Sequence, residues 1–234
     1  MLYYSKKNDY LNTKRMINYS NFIIIFSTIF FFICLPDIYA FQKKITIGNI
    51  KINKETKEIR IQSKLAIRMG ILEYFLVGDH GKTYESVFKV SDNKPSELNF
   101  ALLLVGFVPL NYQLFLKISQ KKNYMNELIT HYRNSLISIS IATNEQTYDT
   151  SFFIANRESK KKDFPWVFTG SYFIQNNRFA GDFESNFIAI WPDRSAVVNL
   201  CSDLKNPYRG NYGFELTKKK FDLEQDFEII IRRY

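Results

Sequence analysis

The sequence predicts a sheet-rich α+β domain, mainly antiparallel β, with one prominent helix packed on the sheet. Many short segments alternate apolar and polar residues, which is the spacing of half-buried strands. Turn-forming residues separate these segments, and one segment has clear helical spacing. The 234 residues are 46% hydrophobic and 24% charged, a composition typical of a globular protein.

Two pairs of strands are predicted in the first half of the chain. KITIGNIKIN (44 to 53) and KEIRIQSKLAI (57 to 67) place Ile at alternate positions around a hairpin-sized link. ILEYFLV (71 to 77) and KTYESVFKV (82 to 90) flank a turn-forming Gly-Asp-His-Gly cluster at 78 to 81. A hairpin turning at His80-Gly81 would bring the latter two strands together as antiparallel neighbours.

The predicted helix lies in the segment PSELNFALLLVGF, residues 95–107, and begins at Pro95. Proline suits the first turn of a helix, and Glu97 lies near its positive end. Apolar residues recur at helical spacing from Leu98 to Val105, and Gly106 is suited to a C-terminal cap. Alternating segments then predict further strands at 112–119, 135–143, 167–174, 185–191, 195–200 and 227–234.

The N-terminus has the pattern of a secretory signal. Residues 22–35 are apolar or small, a length suited to a signal peptide and too short to cross a bilayer as a helix. Lys14 and Arg15 precede this stretch, and cleavage is predicted after Ala40. We therefore expect residues 1–40 to be a signal peptide, with Met16 as a possible true start, and residues 41–234 to form one exported domain. An uncleaved anchor is the alternative.

Charge and cysteine content narrow the classes of partner and cofactor. The formal net charge is +9, and the densest lysine clusters are at 160–162 and 218–220. They are interpreted as solvated loops or as a weak contact with an anionic membrane surface; nucleic acid is not expected. Cleavage would leave Cys201 as the sole cysteine, and two distant histidines provide no zinc pattern, so no disulfide, metal or cofactor is predicted.

Four segments of this chain appear in the same order as motifs of one family. They are LEYFLV at 72–77, GKTYESVF at 81–88, KPSELNFALLLVGF at 94–107 and WVFTGS at 166–171. Together they resemble the YdjY-domain family of exported bacterial proteins. The family often has His before the Glu-Ser pair, where this chain has Tyr84. The resemblance implies a compartment, most often the periplasm, and a single module, but no reaction.

Six residues are predicted as candidate ligand-binding positions: Tyr84, Glu85, Ser86, Trp166, Thr169 and Ser171. Glu85 would lie in a segment that the fold tends to bury, and a buried carboxylate must be paired, hydrogen-bonded or protonated. It could therefore be a structural acceptor, a ligand or acid–base group, or an exposed edge residue. Trp166 is expected to anchor a strand in the core, or else to line a pocket with Glu85 and Ser171.

Three functions remain open from the sequence. A non-catalytic module would bind a small ligand or an envelope protein. A hydrolase-like or isomerase-like enzyme would use Glu85, with Glu73 or His80 beside it. A membrane-peripheral structural protein would be held by its basic loops or by an uncleaved N-terminus. No catalytic motif is found, so the sequence assigns the chain no reaction, no particular ligand and no oligomeric state.

Overall fold

The computed structural model describes residues 43–161, 164–202, 205–217 and 221–234. The predicted signal at 1–40 and the lysine cluster at 218–220 lie outside the described residues. Residues 44–234 form one unit. Its strands are β1 Lys44–Ile47, β2 Ile50–Asn53, β3 Glu58–Leu65, β4 Ile71–Leu72, β5 Tyr74–Gly78, β6 Ser86–Val90, β7 Leu136–Ala142, β8 Thr147–Asp149, β9 Ile154–Asn156, β10 Trp166–Phe168, β11 Phe173–Ile174, β12 Arg178–Phe179, β13 Asn186–Ala189, β14 Val198–Leu200, β15 Phe214–Leu216 and β16 Asp226–Arg233.

The α-helices of the described chain are α1 Pro95–Leu104, α2 Tyr112–Ser119, α3 Tyr124–His131 and α4 Ala180–Glu184. A short 3₁₀ helix, Thr83–Glu85, precedes β6. The sheet-rich α+β class is therefore confirmed. The single prominent helix is not, since α2 and α3 each span 8 residues beside the 10 of α1. No helix among the described residues is both long and apolar enough to cross a membrane.

Eight strands of the main sheet close into a ring. Their order is β3, β16, β7, β10, β14, β13, β5 and β6, and β6 pairs back to β3. Strands β1 and β2 extend the sheet from β3, and β8 pairs with β7. Two neighbouring pairs in the ring, β5–β6 and β13–β14, are parallel, so the sheet is mixed. The polar residues Glu73, Tyr74, Lys82 and Asp193 lie in or beside the connections of these two pairs.

Aromatic side chains fill the main core. The centroid of the Phe75 ring lies 5.2 Å from the centroid of the Trp166 ring and 5.3 Å from that of Phe88. The Phe88 centroid in turn lies 5.2 Å from that of Phe227. Such edge-on and tilted contacts add stability to that of the buried apolar area itself. Trp166 is only 2% exposed, which confirms its predicted place in the core. These contacts join β5, β6, β10 and β16.

The segment at 112–119, predicted as a strand, is instead helix α2. Its apolar residues satisfy both periods, because Leu114 and Leu116 support alternation whereas Phe115 and Ile118 lie one helical turn apart. Asn111 decides the outcome locally, since its side-chain oxygen accepts hydrogen bonds from the amides of residues 113 and 114 at 3.0 and 3.2 Å. Phe115 and Ile118 then pack with residues of β7 and β10.

The predicted hairpin at 71–90 is wrong, because β5 and β6 are parallel. Tyr74 pairs with Ser86 and Leu76 with Phe88. The chain returns through residues 79–85, so that the Glu73 amide donates to the carbonyl of Glu85 at 3.0 Å, at the start of both strands. Every residue of β5 is buried. A strand buried on both faces lacks the alternation of a solvated hairpin and is typical of parallel pairing.

Helix α1 begins at Pro95 as predicted and covers one part of the core. Leu98 and Leu102 are fully buried, whereas Phe100 and Leu103 face outward with 54% and 46% of their surface exposed. The carboxylate of Glu97 accepts a hydrogen bond from the Lys94 amide at 3.0 Å, which satisfies one backbone group at the helix start. The outward face of α1 is thus more apolar than is usual for a helix on a protein surface.

Candidate functional site

The two parallel pairs place polar side chains near one another. Parallel strands cannot be joined by a tight turn, so each pair needs a longer connection. Residues 79–85 connect β5 to β6, and residues 190–197 connect β13 to β14. Because β5 and β13 are neighbours in the ring, side chains from both connections meet around Tyr74, at the start of β5.

An ion pair anchors the first connection. Lys82 Nζ donates to Glu73 Oε2 at 2.6 Å. The Glu73 side chain is 6% exposed and that of Lys82 is 47% exposed. Its hydrogen bond to Glu73 raises the pKa of Lys82, which opposes the effect of partial burial. The ammonium therefore neutralises a carboxylate that is otherwise shielded from water.

Glu85 lies on the other side of the same lysine. Tyr208, from a loop far along the chain, donates its hydroxyl hydrogen bond to Glu85 Oε1. Partial burial and this hydrogen bond raise the pKa of Tyr208, so the phenol stays protonated and remains a donor. Glu85 Oε2 is shielded from solvent and has no hydrogen-bond partner among the described residues, and it lies 3.7 Å from Lys82 Nζ, which is an ion-pair distance. We call Glu73, Lys82, Glu85 and Tyr208 the Glu85 cluster.

The second connection is held by Asp193. Its Oδ2 accepts hydrogen bonds from the Tyr74 hydroxyl and from Asn186 Nδ2, each at 2.8 Å. Its Oδ1 accepts from the Ser195 amide at 2.8 Å and from the Ser195 hydroxyl at 2.9 Å. The Asp193 amide donates in turn to Asn199 Oδ1 at 2.8 Å. Because each of its carboxylate oxygens accepts two hydrogen bonds, Asp193 is fitted to hold the connection in place.

Tyr74 joins the two groups of residues. Its hydroxyl bonds to Asp193, while Lys82 Nζ lies 5.9 Å from the centre of its ring. Burial raises the pKa of Tyr74, and the negative charge of Asp193 raises it further. Tyr74 therefore acts as a neutral donor, whereas Glu85 Oε2 accepts no hydrogen bond from the part of the chain that the structure describes.

The six sequence candidates occupy different places in this arrangement. Glu85 belongs to the cluster, and Tyr84 beside it is 68% exposed. Ser86 is fully buried, and its hydroxyl donates to the carbonyl of Phe88 at 2.7 Å. This bond occupies the Ser86 proton within the strand itself.

The other three candidates follow β10 or lie in it. The indole nitrogen of Trp166 is buried without an acceptor in the described part of the chain. The Thr169 hydroxyl accepts a hydrogen bond from Asn199 Nδ2 at 2.8 Å, which connects it to the Asp193 group. The Ser171 hydroxyl accepts from the Gly181 amide at 3.0 Å and so ties this segment to α4. Trp166 and Ser171 have no direct contact with Glu85 among these bonds.

Clefts open elsewhere on the described surface. Three of them have volumes of about 580, 460 and 440 Å³, and none of these three is lined by a sequence candidate. Within the described ranges, no group of three His, Cys, Asp or Glu side chains is placed to hold a metal ion. The Glu85 cluster instead combines the exposed side chains of Lys82 and Tyr208 with a shielded carboxylate oxygen that accepts no hydrogen bond from the described residues.

Sequence reasoning missed most partners of Glu85 and the whole Asp193 group. Tyr208 is separated from Glu85 by 123 positions, so no local pattern could connect them. Pro192-Asp193-Arg194-Ser195 does carry a local signal, because Asp and Ser two positions apart after a proline are typical of a side-chain-capped turn. Lys82 lies in the segment of the predicted hairpin, where local spacing does not indicate its pair with Glu73.

A model of the YdjY domain matches residues 50–211, well over half of the chain. The chain belongs to the YdjY-domain family. The match extends from β2 to the loop that carries Tyr208, so it includes both parallel connections and the Glu85 cluster. No curated protein and no solved structure matches this chain.

Proposed function

We propose that this YdjY-domain protein is a non-catalytic binding module that takes a small ligand, or a side chain of an envelope partner, at the Glu85 cluster. The observation that carries the proposal is the shielded Glu85 carboxylate oxygen, which accepts no hydrogen bond from the described residues and has only the Lys82 ammonium at 3.7 Å beside it. A buried acceptor without a donor is unfavourable, and a ligand that supplies an N–H or O–H group removes that penalty. Its neighbours Glu73 and Lys82 already satisfy one another.

Charge points to the kind of donor. The cluster holds two carboxylates and one ammonium, so its formal charge is negative. Two exposed tyrosines flank Glu85, with Tyr84 68% and Tyr208 51% exposed. Aromatic faces beside a carboxylate favour cations, and a primary ammonium provides both charge and donors. We therefore expect amines to bind in preference to anions.

Thermal-shift measurements on the full chain test this function. Putrescine and methylammonium should raise the melting temperature, since a ligand that binds only the folded state stabilises it. Acetate should not. Glu85→Gln should abolish the shift, whereas Glu145→Gln, at an exposed position outside the cluster, should retain it. A shift that is unchanged in Glu85→Gln, or no shift with any amine, would count against the proposal.

The compartment is part of the same proposal. A leader at 1–40 with a basic start and an apolar centre supports export, with the periplasm as the place of action. Mass spectrometry of the protein from separated cell fractions tests this. Export predicts a new N-terminus at Phe41, and an intact N-terminus on cytosolic material would contradict it.

A second candidate function is an enzyme that uses Glu85 for acid–base chemistry. It is favoured by the same oxygen, which accepts no hydrogen bond from the described residues, and by the place of Glu85 between a phenol donor and an ammonium. A panel of ester, amide and glycoside substrates tests this idea. Turnover that disappears in Glu85→Gln, with the melting temperature retained, would support the enzyme, and turnover equal to that of the parent would remove it.

A further inference from the structure

The largest of the three clefts lies apart from the Glu85 cluster. Its volume is about 580 Å³, within the range of small-molecule sites. It is bounded by the small hairpin β11–β12, by α4 and by the start of α1. The residues lining it are Lys94, Ser96, Phe173, Asn177, Arg178, Phe179, Asp182 and Phe183. It shares no residue with the Glu85 cluster.

Aromatic rings in this cleft are unusually open to solvent. Phe173 is 69% exposed and Phe183 is 61% exposed. The Phe173 ring stands edge-on to that of Phe179, with centroids 5.6 Å apart, so the hairpin holds it in position. Single exposed apolar residues are common, but two large rings facing one concave surface indicate a site for apolar material.

The cleft lining carries two cationic side chains and one acidic side chain. The Arg178 guanidinium carbon lies 4.9 Å from the centre of the Phe183 ring. Neither Arg178 nor Lys94 forms an ion pair with an acidic side chain in the described ranges. Asp182 is the acidic residue of the lining, and its two oxygens accept from the amide and the hydroxyl of Ser96, each at 2.7 Å. The two cations are therefore left to face the cleft.

We propose that this cleft binds a single-chain amphiphilic anion, a molecule with an acidic head group on an apolar chain. Arg178 and Lys94 would contact the head group, because a guanidinium bonds carboxylate and phosphate oxygens in pairs and an ammonium adds charge. Phe173 and Phe183 would cover the apolar chain. An anion without an apolar part would leave both rings in water, and an apolar molecule without charge would leave both cations unpaired.

Calorimetric titration of the full chain with dodecyl phosphate below its micelle concentration tests the proposal. Dodecyltrimethylammonium has the same chain with the opposite charge, and inorganic phosphate has the head group alone; both should bind at least about tenfold more weakly. The double variant Phe173→Ser/Phe183→Ser and the variant Arg178→Gln should each lose about tenfold in affinity.

Matched controls separate the cleft from the rest of the surface. Met69→Ser removes an apolar side chain that is 81% exposed and outside the cleft, and Arg209→Gln removes an exposed cation outside it. Both should bind dodecyl phosphate as the parent does. Equal affinity in the parent and the double variant would overturn the proposal, as would equal affinity for the cationic amphiphile. Binding confined to anionic vesicles, with none to the monomeric amphiphile, would also overturn it.

Discussion

Lys82 Nζ lies 2.6 Å from Glu73 Oε2, and this bond joins an exposed side chain to a buried one. Glu73 precedes β5, and its backbone carbonyl also accepts from the amides of residues 190 and 191, beside the second parallel connection. Glu73 therefore contacts both connections of the candidate site, the first through its side chain and the second through its backbone carbonyl. The ion pair also gives a carboxylate that is almost closed to water a cationic partner, without which its burial would be unfavourable.

Replacing Lys82 should destabilise the fold more than replacing another paired lysine. Lys82→Met leaves the Glu73 charge buried without its partner, and we expect the free energy of unfolding to fall by about 2 kcal/mol, below the value for a fully buried pair because Lys82 is half exposed. Lys160→Met breaks an exposed pair with Glu215 and should change it by less than about 0.5 kcal/mol. Urea unfolding measures both; equal losses would argue against a special role for Glu73.

Tyr74 should make the protein sensitive to alkali. Burial and Asp193 raise its pKa in the folded state, so its stabilising effect is complete below about pH 10 and is lost as the pH rises further. Above that pH the unfolded chain releases this proton while the folded chain retains it. Tyr74→Phe should therefore lower stability at neutral pH by about 1 kcal/mol and flatten its decline above pH 10. Unfolding curves between pH 7 and 11 with parallel declines would contradict the assignment.

Cys201 should be inert in the folded protein. It is fully buried, burial raises its pKa to about 11, and its sulfur lies 3.2 Å from the Ser119 hydroxyl. Because the thiolate is the reactive form, iodoacetamide at pH 8 should modify it at least about a hundredfold more slowly in the native chain than in urea. Peptide mass mapping follows Cys201 separately from Cys34. Rapid native modification of Cys201 would show that the packing of α2 on the sheet is looser than described.

Helix α2 should depend on Asn111, the capping residue that precedes it. Asn111→Ala removes the side chain that accepts from two amides and should cost about 1 kcal/mol. Asn123 occupies the same position before α3 but makes no such hydrogen bond, so Asn123→Ala is the matched control and should have a smaller effect. Chemical unfolding of both variants provides the comparison. A larger loss for Asn123→Ala would mean that the cap of α2 is not what defines the helix.

The fold was predictable wherever hydrophobic spacing was unambiguous. Helix α1, with Pro95 at its start, and the long alternating strands β3 and β7 follow from local pattern. The segment 112–119 fits two periods equally well, so tertiary packing and the Asn111 cap decided it. The direction of β6 relative to β5 depended on pairing with distant strands, which a turn-like Gly78–Gly81 cluster could not reveal.

The candidate site was predictable only in part. Glu85 was predictable as a candidate because a carboxylate within a predicted apolar strand needs hydrogen-bond donors. In the structure, one of its oxygens accepts no hydrogen bond from the described residues. Its partner Tyr208 comes from a distant loop, and Asp193 meets Tyr74 only because β13 lies beside β5 in the ring. Contacts of this kind arise from the topology of the sheet, and the spacing of residue types along one sequence does not indicate them.

The most direct test of the account is the affinity of putrescine for the parent chain and for Glu85→Gln, measured by titration calorimetry. If Glu85 Oε2 accepts a hydrogen bond from the ligand, the parent chain should bind putrescine. The variant should lose at least about tenfold in affinity while keeping its melting temperature. Equal affinities for the two proteins, or no binding to the parent, would contradict the assignment of the Glu85 cluster as a binding site.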